Sequence, residues 1–505
     1  MILLLIYTSS KLSPSEANKN PDYIAFFFLS MGSVDTDSER NQALYLQDQH
    51  DQENKDDLAS RIWVETKKLW QIAGPAIFSL MAMFSMNMIT QSFAGHLGVV
   101  ELAAISISNT VIVGFKLGMS SALGTLCGQA FGAERYHMLG IYMQRSWVVL
   151  FLCCFLLSPF YVFATPLLKR LGQADEVAKM AGAVALWLIP LHFSFAFLFP
   201  LRTFLQSQLK NRVTAWVSLV SLGINALTSW LFVYELHFGV VGVAIALDIS
   251  WWALTLGLFV YCSCGRCPST WTGFSVQAFS GLWEFVKLSV ASGVMLCLEN
   301  WYYRILIIMT GHLKNSTLAV DALSVCMGTL GWELMIPLAF FAAAGVRVSN
   351  ELGAGNSKAA KFATMVSVAQ TTITGLVLCV LIMLLKNKIA LAFTSDADVI
   401  HEVDSLSPLL AISILLNNVQ PVLSGVAVGS GSQTKIAYVN LGCYYFIGLP
   451  LGFLMGWVFK LGIKGIWCGM ILGGTFTQTV TLAIITMKFN WDKEAEKARN
   501  RVDKW

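Results

Sequence analysis

The chain carries a long apolar run at residues 240–262, V-V-G-V-A-I-A-L-D-I-S-W-W-A-L-T-L-G-L-F-V-Y-C, in which Asp248 is the single charged residue. A helix of about 20 consecutive apolar residues is long enough to cross the hydrocarbon core of a bilayer. The apolar residues are continuous and do not alternate with period two, which excludes a strand of an outer-membrane barrel. The run therefore predicts a transmembrane helix.

Further runs of this kind bring the total to twelve from Trp70 onward. They lie at about 70–93, 99–126, 138–163, 178–201, 213–234, 240–262, 288–310, 318–344, 362–385, 406–428, 436–458 and 465–487. Of the 505 residues 56% are apolar and 13% are charged, whereas a soluble domain carries about 25% charged residues. We predict an all-α polytopic membrane protein with twelve transmembrane helices.

An even number of spans places both ends of the chain on one side of the membrane, and the basic tail at 488–505 indicates that this side is the cytoplasm. We expect a cytoplasmic linker at 263–287. Residues 1–60 are predicted to form a disordered tail. Within it, residues 1–30 are interpreted as an upstream artefact of the gene model, with Met31 as the start.

The sequence contains an internal repeat. G-H-L at 95–97 recurs at 311–313, an offset of 216, and G-Q-A-F-G-A at 128–133 aligns with S-N-E-L-G-A at 349–354, an offset of 221. We therefore predict two six-helix lobes, 65–262 and 288–487, related by a pseudo-two-fold axis along the membrane normal. The change of offset indicates that the second helix lacks about one turn, near Lys116.

Ionisable side chains inside membrane spans are costly and by default face the interior of the bundle or an aqueous cavity. Glu299 lies near the middle of the seventh run, and burial favours the neutral form of a carboxyl group, so that it can exchange a proton near neutral pH. The alternative is an ion pair between Glu299 and Arg304 that only holds helices together. Further candidates for proton coupling are Glu333, Asp321 and Asp248.

Polar and aromatic residues beside these acids are candidates for substrate binding, because aromatic rings offer a surface to planar or cationic ligands. They are Asn300, Trp301, Tyr302 and Tyr303 in the seventh run, and Asn417 and Gln420 in the tenth.

Other classes of function find little support. The net charge of +4 is spread over tails and short loops, so nucleic-acid binding has no basic face. The sequence has no Walker A motif, no H-E-x-x-H and no serine nucleophile elbow, so we expect neither an ATP-driven pump nor an enzyme. C-S-C-G-R-C at 262–267 lacks a partner cluster, and no metal site or cofactor is predicted.

Five motifs resemble signatures of the multidrug and toxic compound extrusion family, in its plant DETOXIFICATION branch. They are K-L-W-Q-I-A-G-P-A from Lys68, F-A-G-H-L-G from Phe93, L-C-G-Q-A-F-G-A from Leu126, R-V-S-N-E-L-G-A-G-N from Arg347 and Q-P-V-L-S-G-V-A-V-G from Gln420. The resemblance implies a V-shaped pair of six-helix lobes, a central cavity with alternating access, and essential acids at Glu299 and Glu333. It also implies export of organic compounds in exchange for protons or, in other branches, sodium.

Two positions depart from the family pattern. Gly124 stands where the family usually has a glutamate, and Ser432 stands where it usually has a tryptophan.

The sequence thus predicts a proton antiporter that exports organic compounds, either xenobiotics or secondary metabolites, of a cationic or planar aromatic kind. Its partners would be the small organic substrate, protons and the lipid bilayer, and one chain would suffice. The vacuolar and plasma membranes are the expected locations. Three alternatives are a lipid or oligosaccharide flippase, a scaffold that does not transport, and a membrane-embedded enzyme.

Overall fold

The computed structural model of the protein describes residues 58–110, 113–170, 172–313 and 316–504, and no strand occurs among them. The helices are α1 (Leu58–Leu97), α2 (Val99–Thr110), α3 (Val113–Gly132), α4 (Tyr136–Val162), α5 (Ala164–Arg170), α6 (Asp175–Trp187), α7 (Ile189–Ser207), α8 (Asn211–Glu235), α9 (Gly239–Arg266), α10 (Leu282–Gly311), α11 (Ser316–Glu333), α12 (Met335–Gly353), α13 (Ser357–Phe393), α14 (Ala397–Gly429), α15 (Gln433–Val458), α16 (Gly462–Met487) and α17 (Trp491–Lys504). The predicted all-α class is confirmed.

Most of the predicted spans have the length and composition of membrane helices. Within the described ranges nine helices meet that criterion, and the pair α6 and α7, bent by 50° at Leu188, raises the number to ten. The other two predicted runs, 99–126 and 288–310, fall on α2 with α3 and on α10, so every predicted run is mainly helical over its described residues. The protein is therefore a multi-pass membrane protein.

The second predicted run of the C-terminal half consists of two helices, α11 and α12, which are separated by Leu334. In the N-terminal half the corresponding run is helical over its described residues, in α2 and α3. Lys116 lies in α3, and its side chain falls outside the described part of the structure.

The segments between and after the halves are partly ordered. The predicted linker 263–287 contains a short 3₁₀ turn at Val276–Phe279, and Gln144 of α4 binds it by donating to the Gly273 carbonyl oxygen (3.0 Å) and accepting from the Ser275 N–H (2.8 Å). The predicted C-terminal tail forms the helix α17. Apart from residues 58–60, where α1 begins, the predicted N-terminal tail lies outside the described residues.

The two halves pack on each other through a small set of helices. α1 and α3 of the N-terminal half contact α12 of the C-terminal half, and α3 also packs along α10. One apolar cluster crosses this boundary, because Leu69 and Ile72 of α1 are buried with Phe340 of α12 and Trp491 and Ala498 of α17. Burial of apolar side chains is thus shared between the halves instead of being confined to each one.

A buried group of charges reinforces the same boundary. Arg347 of α12 is 1% exposed, and it donates from Nε and Nη2 to the two carboxylate oxygens of Glu65 in α1 at 2.7 and 2.9 Å. Its Nη2 also donates to Glu351 at 2.8 Å. A guanidinium matches a carboxylate with two parallel hydrogen bonds, which makes this pair strong and directional.

The geometry predicts that Arg347→Met destabilises the protein by about 3 to 5 kcal/mol, because it leaves two carboxylates buried without their cation. The thermal unfolding temperature of the purified protein in detergent should fall clearly. The matched control is Arg135→Met, which removes an ion pair to Asp503 between side chains that are 48% and 51% exposed. That pair should contribute less than about 1 kcal/mol, and an equal effect of both variants would contradict the assignment.

Candidate functional site

A cavity of about 460 Å³ lies between the two halves. Its walls come from α1, α3 and α7 of the N-terminal half and from α10, α11, α12 and α14 of the C-terminal half. The polar residues that line it are Ser120, Ser121, Thr125, Arg202, Thr203, Gln206, Glu299, Asn300, Tyr303, Arg304, Asn417, Gln420 and Ser424. Apolar residues such as Phe199, Leu296 and Phe341 complete the walls. The size and mixed lining suit a small organic molecule.

The cavity is closed at one end by hydrogen bonds between the halves. Thr125 of α3 donates to the Val428 carbonyl oxygen at 2.6 Å, and Gln129 donates to the Gly429 carbonyl oxygen at 3.0 Å. Gln433 at the start of α15 donates to the Thr125 hydroxyl at 2.7 Å. Because these groups are buried, separating the halves here requires water or other partners to replace every bond.

The repeated glycine motifs form the centre of this closed end. A methyl group on Gly132 of α3 would overlap the carbonyl oxygen of Asn350, and one on Gly353 of α12 would overlap that of Gln129. The two copies of the repeat therefore touch backbone to backbone. Only glycine allows so close an approach.

The helix α17 covers the closed end and contacts both halves. Arg501 donates to Gln129 Oε1 of α3 at 2.8 Å and to the Ser430 carbonyl oxygen after α14 at 3.4 Å. Asp503 pairs with Arg135, and Asp492 accepts a hydrogen bond from Ser357 at the start of α13. The C-terminal helix thus joins elements that are far apart in sequence.

Five of the predicted site residues meet in the cavity wall. Glu299 and Asn300 line it from α10, and the side chain of Gln420 in α14 lies against the Glu299 carboxyl group. The Tyr303 hydroxyl donates to Asn417 Oδ1 at 3.0 Å. The carboxyl group, the phenol and the two amides form one polar cluster on α10 and α14.

The other predicted acids lie elsewhere. Glu333, at the end of α11, is buried outside the cavity lining and accepts a hydrogen bond from Asn418 at 2.6 Å. Asp248 is buried in the N-terminal half, where its carboxyl group accepts from the backbone N–H of Leu191. Asp321 is exposed near the start of α11.

Two of the predicted aromatic residues face away from the cavity. Trp301 is 58% exposed and lies outside the lining. Tyr302 is 1% exposed, donates to the Met470 carbonyl oxygen at 2.6 Å and stacks on Tyr444 with ring centroids 4.4 Å apart. Tyr302 therefore contributes to the internal packing of the C-terminal half. Of the four aromatic and amide residues that follow Glu299, Asn300 and Tyr303 line the cavity.

The structure adds Arg202 of α7 to the cavity, a residue that the sequence analysis missed. It follows directly after the predicted span 178–201, where an arginine is usually read as a residue of the membrane interface. Arg304 also lines the cavity, and the described residues contain no ion pair between it and Glu299. The alternative of a purely structural Glu299–Arg304 pair therefore finds no support in this geometry.

No group of three or more His, Cys, Asp or Glu side chains able to hold a metal ion occurs in the part of the chain that the structure describes. In the C-S-C-G-R-C segment, Cys262 and Cys267 are buried, and Cys264 is exposed. Lys210 lies 3.9 Å from the Cys267 sulfur and also donates to the Arg266 carbonyl oxygen.

We expect Gly132→Ala to open the closed end, because its methyl group overlaps the backbone of α12. Spin labels on His137 and Lys435, both exposed beside the closed end, should show a longer distance by double electron–electron resonance. The matched control is Gly74→Ala in α1, where a methyl group meets nothing within 4 Å. An unchanged distance in Gly132→Ala would show that the closed end tolerates the overlap.

Comparison with known proteins identifies the family to which this architecture belongs. The MatE family model matches residues 75–231 and 291–454. Protein DETOXIFICATION 27 of Arabidopsis thaliana is 62% identical over 478 residues, covering 94% of this chain and 98% of the relative. DETOXIFICATION 26 of the same plant is 58% identical over 448 residues, covering 88% and 92%.

A crystal structure of the eukaryotic MATE transporter AtDTX14 superposes with a TM-score of 0.83 at 37% identity, covering 87% of this chain and 99% of that one. An outward-facing multidrug resistance MATE transporter shares the fold at 17% identity, with a TM-score of 0.76 and coverage of 86% and 97%. The chain belongs to the MATE family of multidrug and toxic compound extrusion transporters, and its relatives are DETOXIFICATION proteins.

Proposed function

We propose that this transporter exports organic compounds by proton antiport through alternating access, with Glu299 as the main coupling residue. The observation that carries the proposal is the position of Glu299, an ionisable side chain in the wall of a cavity shared by both halves. An acid at such a place can bind either a proton or a positively polarised part of a substrate, but not both at once.

The neighbours of Glu299 support this competition. Gln420 contributes an amide beside the carboxyl group, and the described residues supply no cation within ion-pair distance of it. When Glu299 is ionised, it attracts a basic or hydrogen-bond-donating group of a substrate. When it takes a proton, that attraction is lost and the substrate leaves. The rings of Tyr303, Phe199 and Phe341 offer surface to a planar aromatic body.

Glu333 is proposed as the second acid of the C-terminal half. Its Oε1 accepts from Asn418, and its Oε2 is buried without a hydrogen-bond partner among the described residues. The second carboxyl oxygen is therefore free to take a proton. Tyr303 lies within electrostatic reach of both Glu299 and Glu333, which links the two acids through one side chain.

The charges at the closed end support an assignment of the orientation and of the conformation. Its loops and α17 carry Arg135, Lys358, Lys435 and the basic C-terminal tail, and the positive-inside rule assigns such segments to the cytoplasm. We therefore infer that both ends of the chain are cytoplasmic and that the cavity is closed toward the cytoplasm. In the vacuolar or the plasma membrane, a proton gradient with its acidic side away from the cytoplasm would drive export.

Glu299→Gln should abolish export driven by a proton gradient while leaving folding intact, because glutamine keeps the shape and polarity of the side chain but cannot ionise. The measurement is transport of a fluorescent organic cation into acid-loaded proteoliposomes, with and without a protonophore. Glu333→Gln should reduce the same flux.

The control variant is Glu176→Gln, which changes an exposed acid in the first turn of α6 that does not line the cavity. It should transport like the natural protein. Full gradient-driven flux in Glu299→Gln would contradict the coupling role. A natural protein that folds but shows no flux at all would favour the alternative of a non-transporting scaffold.

A further inference from the structure

Arg202 has no protein partner within the described structure. Its Nε is buried without a hydrogen-bond acceptor, and none of the carboxylates in the described ranges lies within ion-pair distance of its guanidinium. The side chain reaches the wall of the cavity from α7. A buried guanidinium nitrogen is stable only when an acceptor or an anion satisfies it, and the cavity that Arg202 lines gives a ligand access to this side chain.

The charges of the cavity favour an anion there. Among the described side chains, the charged ones that line it are Arg202, Arg304 and Glu299, so two cations face one carboxylate. Arg304 also forms no ion pair within the described ranges. Low-dielectric walls strengthen the field of such charges at a bound ligand. An acidic group on a substrate is therefore attracted to this cavity, even while Glu299 is ionised.

The surroundings of Arg202 suit an acid joined to an aromatic body. Phe199 lies one turn before it on α7 and Gln206 one turn after it, and Ser120 and Ser121 contribute hydroxyl groups from α3. The planar guanidinium can donate two parallel hydrogen bonds to a carboxylate, a sulfate or a phosphate. The Gln206 amide can donate to a remaining oxygen, and the Phe199 ring can contact the body of the ligand.

We infer that Arg202 binds an acidic substituent of the transported compound, so that aromatic compounds carrying a carboxylate, sulfate or phosphate group are substrates. This inference rests on the proposed function, because it names the substrate class of that cavity. Arg202 belongs to the N-terminal half and Glu299 to the C-terminal half. A substrate can therefore place its acid on one wall and its hydrogen-bond donors on the other, and proton uptake at Glu299 weakens its binding enough for release by removing the second contact.

The test uses equilibrium binding to the purified full-length protein in detergent, followed by quenching of its tryptophan fluorescence. The probes are 4-methylumbelliferyl sulfate and its neutral parent 4-methylumbelliferone, at a pH at which the parent is uncharged. We expect the sulfate to bind more tightly than the parent. Arg202→Gln should weaken binding of the sulfate about tenfold and leave binding of the parent unchanged.

Arg170→Gln, which removes an exposed arginine at the end of α5, is the matched control and should bind both probes normally. Arg202→Lys keeps the charge but loses the fork of donors, so it should bind the sulfate more weakly than the natural protein. It also serves as the test if the glutamine variant fails to fold. Equal affinities for the two probes, or equal sulfate binding by the natural protein and both Arg202 variants, would overturn the inference.

Binding needs no gradient, so this result is independent of proton coupling. Selective loss of sulfate binding in Arg202→Gln would support the anion site even if Glu299→Gln transported normally. Conversely, the protein could show proton-coupled export but no preference for the sulfate. That result would support the proposed function and would contradict the inference that aromatic acids are its substrates.

Discussion

The ion pair between Arg347 and Glu65 is the interaction on which the arrangement of the halves depends. It joins α1 to α12 across the boundary and lies within the apolar cluster that α17 completes. A buried ion pair gains little over its hydrated, separated groups, because desolvation offsets most of the attraction. The pair therefore specifies how the halves meet without making their separation prohibitively costly, as the proposed alternating access requires.

The glycine contacts and α17 act at the same place by different physical means. The contact of α3 with α12 depends on shape, since backbone meets backbone where side chains are missing. The bonds from Arg501 depend on charge and hydrogen bonding at a position partly open to water. Water can replace the second kind of contact at small cost, whereas the first is lost as soon as the helices move apart. The closed end thus combines contacts of short range with contacts that solvent can compete for.

The cavity derives its chemistry from polar groups that the protein leaves incompletely satisfied. Some buried polar side chains elsewhere in the C-terminal half have partners, as Tyr302 does with Met470 and Gln478 with Asn440 at 2.6 Å. At the cavity, Arg202 has an unpartnered nitrogen and Glu299 faces open space. Such groups lower the stability of the empty site, and a ligand or a proton restores their interactions. In the proposed mechanism, binding and proton coupling therefore depend on the same few side chains.

The sequence by itself determined the class of fold, most of the spans and the repeat. Apolar run length and residue spacing are local properties, and the thickness of the bilayer sets the run length that a membrane helix needs. It also singled out Glu299, since an acid in a membrane span has few stable places other than a cavity. Only the tertiary structure separated Tyr303 from Tyr302 and Trp301, because each step along a helix turns the side chain by about 100° and only the neighbours show which direction is the interior. The same holds for Arg202 and for Arg347 with Glu65: their roles depend on packing between segments far apart in sequence, and no local pattern records which helices meet.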